Sequence, residues 1–99
     1  MRLAERDREV ICHILHEQFG ENAKLWLFGS RVDDSLQGGD IDLMVEPEYL
    51  VENSLAQKIQ AVSAIQMAIG DQKIDLLIRK KTINESRIYK IAEATGVRL

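Results

Sequence analysis

The chain is predicted to fold as one α/β domain spanning residues 1–99, with a three-stranded mixed β-sheet covered by helices. Three observations predict it. Apolar residues recur at helical spacing in two stretches, 4–19 and 53–69, and each is closed by a glycine, Gly20 and Gly70. Three apolar runs of strand length lie around 25–28, 40–46 and 73–78. The link between the first two runs is short, which suits antiparallel neighbours, whereas a whole helix separates the second from the third, enough for a right-handed parallel crossover.

The elements follow in order. In the first helix Val10, Ile11, Ile14, Leu15 and Phe19 share one face. His13 and His16 lie off that stripe and are expected at the surface, because nothing near them completes a metal site. Cys12 borders the stripe, so a buried, inert thiol is expected. Leu25-Trp26-Leu27-Phe28 reads as a strand buried on both faces. Trp26 is then a core residue, with stacking on a nucleobase as the alternative. Residues 31–39 form a polar connection in which Ser30 could cap one helical turn, and Gly38-Gly39 allows a sharp turn into the second strand.

The second strand, 40–46, ends at Pro47. In the next helix Leu55, Ile59, Val62, Ile65 and Ile69 form the expected buried stripe, interrupted by Gln66. The third strand, 73–78, is apolar apart from Lys73 and Asp75. A last helix is expected over 83–95, with a Thr82/Glu85 capping box, Gly96 as its stop and Ile88, Ile91 and Ala92 facing the core. Its outer side, with the run before it, presents Arg79, Lys80, Lys81, Arg87, Lys90 and Tyr89 as a basic patch, either solvated or docking a partner. Residues 97–99 are expected either to add a short edge strand or to pack down.

The chemistry concentrates between Gly29 and Asp75. Asp40 and Asp42 are two apart on a strand, so their carboxylates share a face while Ile41 and Leu43 point to the core. Such a pair is costly unless a cation lies between the two groups, and carboxylate oxygens suit Mg²⁺ or Mn²⁺. Asp75 faces the other two if the third strand lies beside the second; otherwise it pairs with a lysine at a sheet edge. Gly29 lets the backbone approach a ligand, Ser30 adds a hydroxyl to a turn that can cradle phosphate, and Arg31 can reach a phosphate or pair with Asp33 or Asp34. The bland reading is an ordinary turn followed by a solvated strand face.

Gly29-Ser30-Arg31, then Gly39-Asp40-Ile41-Asp42-Leu43, then Asp75 in an apolar strand resemble the signature of the DNA polymerase β-like nucleotidyltransferases. Within that superfamily the wording and length look like the minimal nucleotidyltransferases, commonly the antitoxin partner of a HEPN-domain ribonuclease toxin. The resemblance covers 26–78 in motif terms. It implies the nucleotidyltransferase fold with strand order 1-2-3. It implies transfer of a nucleoside monophosphate, with ATP as donor and a tyrosine or similar group of the toxin as acceptor. Asp40, Asp42 and Asp75 would serve as catalytic carboxylates and ligands of two Mg²⁺ ions, with Gly29, Ser30 and Arg31 at the nucleotide. Two alternatives stand beside it: an antitoxin acting by contact alone, and a small-molecule nucleotidyltransferase needing a partner subunit.

Composition bounds these readings. The apolar share is 45% and the charged share 29%, ordinary for a soluble globular domain. Apolar runs are too short to span a membrane, and the charged first residues do not resemble a secretory signal. One cysteine fits a reducing cytoplasm, the expected location. Residues 1–50 carry 11 acids and 5 Lys/Arg, net −6, and residues 51–99 carry 5 acids and 8 Lys/Arg, net +3. A net-acidic domain without a long basic stripe is a poor binder of long nucleic acid, which argues against a template-directed polymerase.

Overall fold

The computed structural model describes residues 3–29, 40–80 and 87–99, with Ile88 by its backbone alone. Helix α1 (Glu5–Phe19) is followed by β1 (Lys24–Phe28), β2 (Ile41–Glu46), α2 (Ser54–Ile69), β3 (Ile74–Ile78), α3 (Arg87–Thr95) and β4 (Val97–Arg98). The expected helical turn within 31–39, the Thr82/Glu85 capping box and Lys81 fall outside the described residues.

The helix ends follow local chemistry. Glu5 and Asp7 in the first turn of α1 complement its dipole. Asn53 caps α2 by accepting from the Ala56 N–H at 3.1 Å. Gly20 and Gly70 close α1 and α2 with N–H bonds back to the His16 and Gln66 carbonyls. Gln66, the polar interruption in the expected stripe of α2, donates to the Gln72 carbonyl at 2.9 Å and pins the turn into β3.

The sheet has four strands in the order β3-β2-β1-β4, so a short edge strand, one of the two outcomes expected for 97–99, joins the expected three. β1 and β2 are antiparallel, β2 and β3 parallel, and β4 lies antiparallel on the outer side of β1. The fourth strand forms because β1 offers a second edge: the Leu99 N–H bonds to the Leu25 carbonyl at 2.9 Å.

Helices cover both faces. On one face, Ile11, Leu15 and Phe19 of α1 with Ala61 and Ile65 of α2 pack on Leu25, Leu27, Ile41, Leu43, Val45, Ile74, Leu76 and Ile78. On the other, Ala92 of α3 packs on Trp26 and Met44, with Phe28, Leu77 and Tyr89 around them. Trp26 is buried, with the guanidinium of Arg98 5.3 Å and that of Arg79 5.9 Å from its ring centroid.

Several expectations are corrected here. Of the expected stripe of α2, Ile65 is buried and Val62 and Ile69 pack against the core, joined by Ala61, while Leu55 and Ile59 are 66% and 56% exposed. Ile91 is 51% exposed and leaves α3 anchored by Ala92 and Tyr89. His16 is half-buried, its Nε2–H donating to the Ala23 carbonyl at 3.1 Å; His13 is exposed, 3.5 Å from Glu17. Arg79 is buried and bonds Glu93 at 2.9 Å, and the half-buried Tyr89 hydroxyl donates to the Ile78 carbonyl at 3.3 Å. The basic patch therefore loses both its aromatic and its first arginine.

Candidate active site

Parallel pairing sets Asp42 opposite Asp75, and antiparallel pairing sets Phe28 opposite Asp42. Alternation along β2 puts Asp42 on the same face as Met44, the α3 face, because Ile41, Leu43 and Val45 fill the other core. Phe28, Asp42 and Asp75 thus form one row across three strands, beyond the end of the Trp26–Met44–Leu77 row that α3 covers.

Burial pushes the Asp42 carboxyl above the usual carboxylate range, and the charges of Asp75 and then Asp40 push it the same way. Lys73 opposes them, and a side-chain hydrogen bond with Asp75 favours the protonated form. The two carboxyls are therefore held close enough to share a proton, with repulsion left over when both are charged. Asp40, at the head of β2, is half-exposed and lies 3.6 Å from the Lys73 ammonium. Such a pair between solvent-exposed groups is weak and readily displaced.

The structure brings together Asp40, Asp42 and Asp75, and it places Asp75 differently from the reading of a covered strand. β3 is a sheet edge and Asp75 is exposed, so desolvation is no argument about it. The lysine belongs to Asp40 rather than Asp75. Lys73 is the residue that sequence reading missed; its signal was a cation two positions before Asp75, on the same strand face.

Gly29 sits at φ +80°, and a Cβ there would run into the Asp42 carboxylate. The glycine predicted for a close approach to ligand is also required by its neighbour. Ser30 and Arg31, predicted at the nucleotide, lie outside the described residues. Trp26 is too deeply buried to stack on a base.

Three carboxylates suit a hard divalent ion, and the repulsion at Asp42 is the kind of cost such an ion removes. As they stand, among the described residues, no three His, Cys, Asp or Glu side chains are gathered into a metal cage. A cleft of about 430 Å³ lies at the other end of β2 and β3, between Pro47, Leu50, Ser54 and Arg79, and none of the predicted site residues lines it. No helix among the described residues is long and apolar enough to cross a membrane. Compared with known proteins, the chain matches no family model and no curated protein.

Proposed function

We propose that the chain is a minimal nucleotidyltransferase that moves a nucleoside monophosphate, AMP from ATP, onto a hydroxyl acceptor. The observation that carries the reading is the Asp42–Asp75 pair, set at one register position of parallel strands with the Gly29 backbone against it. On this reading the four-stranded α/β arrangement is a nucleotidyltransferase fold with an added edge strand.

Asp40, Asp42 and Asp75 would hold Mg²⁺, two ions in the full site, with Mn²⁺ able to serve the same oxygens. The bound cations supply neutralisation of the triphosphate's charge and a lowered pKa for the attacking hydroxyl. The protein's own residues do the rest. Gly29 leaves room for the triphosphate beside Asp42; Ser30 and Arg31 are proposed to bind its β- and γ-phosphates. The acceptor oxygen attacks the α-phosphorus, the bond from that phosphorus to the bridging oxygen breaks, and pyrophosphate leaves. Asp75, exposed at the rim of the row, receives the acceptor's proton.

The proposed acceptor is a tyrosine of a HEPN-domain toxin in the cytoplasm, so that transfer makes the chain an antitoxin. The test is incubation with Mg²⁺, α-labelled ATP and the protein encoded beside it. The reading expects label on the partner and pyrophosphate in stoichiometric amount, both lost in Asp75→Asn while triphosphate affinity holds. Neutralisation of the partner without any label would replace catalysis by contact.

A further inference from the structure

The outer edge of β3 is open: among the described residues no strand pairs with it. The Ile41 N–H bonds to the Lys73 carbonyl at 2.9 Å and the Arg79 N–H to the Val45 carbonyl at 2.8 Å. Those bonds put the inward-facing backbone groups of β3 at odd-numbered positions. The N–H and C=O groups of Ile74, Leu76 and Ile78 therefore face away from the sheet. An edge in this state is a template for another strand.

The edge also has an apolar surface beside it. α2 lies over it, and a groove of about 240 Å³ runs between them, lined by Leu55, Lys58, Leu76, Leu77, Ile78 and Lys80. Leu55 is 66% exposed, and Ile59 continues the same apolar stripe one turn on at 56%. Two large aliphatic side chains on a helix that already has a buried face of its own contribute nothing to the core. Side by side above an open backbone edge, they have the composition of a recognition surface.

Charge selects the occupant. Lys58 and Lys80 line the groove and Lys73 stands at the head of the strand, all three exposed. A second copy across a two-fold axis would set lysines against lysines. We propose that this groove docks, as a fifth strand beside β3, an extended segment of a partner protein whose α2-facing side chains are apolar, with an acidic residue at the end of that row beside Lys58 and Lys80. Its backbone would pair with Ile74, Leu76 and Ile78, its α2-facing apolar side chains would lie under Leu55 and Ile59, and the acidic residue at the end of that same row would meet Lys58 and Lys80. The inference stands on the edge, the stripe and the lysines, and is independent of the proposed reaction.

The probe is a short capped peptide in which every second residue is valine or leucine, with glutamate at the end of that row and threonine between, titrated into the full chain and followed by amide hydrogen exchange. The expected result is slowed exchange at the Ile74, Leu76 and Ile78 amides. Affinity should fall about tenfold in the Lys58→Glu/Lys80→Glu variant, the scale of two reversed surface charges. Leu55→Ser, which removes an exposed side chain and spares the core, should weaken binding with β1 and β2 exchange unchanged. The proposal is overturned if the matching lysine peptide binds as well, if no peptide protects these amides, or if protection appears with protein concentration alone. The last outcome would make a second copy the occupant.

Discussion

At the scale of the residue, the account rests on Asp42. Its carboxyl is raised by burial and by the neighbouring charges of Asp75 and Asp40. The folded chain therefore holds this proton more tightly than the unfolded chain, so stability falls as pH rises from the ordinary carboxylate range through the raised value. Below that range Asp42 costs nothing; above the raised value the whole repulsion is present. Asp42→Asn should remove that slope and leave the variant more stable than wild type at neutral pH by a few tenths to about 1 kcal/mol, the scale of a like-charge cross-strand pair. Denaturant titrations of both proteins across acid and neutral pH check this; a less stable variant at neutral pH would show that Asp42 is held by favourable contacts. The pairing of Asp40 and Asp42 on one face was legible in the sequence because strand alternation is strict. Lys73 was not, because a lysine's partner depends on which strands become neighbours. Gly29 was legible as a close approach, but that Asp42 is what it makes room for depends on the strand pairing.

Element boundaries were the most legible feature, since Gly20, Asn53 and Gly70 terminate helices by local geometry. The face a helix buries was less so. The expected stripe of α2 holds at Val62, Ile65 and Ile69 and fails at Leu55 and Ile59, which satisfy the same helical periodicity but stay exposed. Ala61 joins the buried face because its small side chain lets α2 approach closely, with Ile65 filling the space one turn on. Ile65→Ala should therefore cost about 2–5 kcal/mol, and Leu55→Ser should stay within about 0.5 kcal/mol of wild type. Urea unfolding of the two variants distinguishes these faces; equal losses would mean that α2 packs the other way. Arg79, just after β3, and Tyr89, on α3, show the same limit. Both looked like surface residues in a basic run, and both are drawn in by tertiary partners, Glu93 and the Ile78 carbonyl, that are remote in sequence or on another element.

Across the whole molecule, the two ends of the sheet divide the work. The head of β2 and β3 gathers Asp40 and Asp42 from the acidic half of the chain with Asp75 and Lys73 from the basic half, while the groove by β3 carries Lys58 and Lys80. The sense of the two pairings among β1, β2 and β3 was legible from linker length alone. The fourth strand was left open because a two-residue strand has no pattern of its own and forms only where another strand offers an edge. An open β3 edge and a separate carboxylate row allow a partner and a nucleotide to occupy the chain together. The measurement that bears most directly on the nucleotide site is thermal unfolding of wild type and of Asp42→Asn/Asp75→Asn, each with Mg²⁺ alone and with Mg²⁺ plus a non-hydrolysable ATP analogue. Wild type should rise with the pair of ligands by about 2.7 kcal/mol of stability at a hundredfold excess over Kd, with far less from Mg²⁺ alone and no rise in the double variant. An unchanged wild type, or an equal rise in the double variant, would contradict a nucleotide and metal site built on these carboxylates.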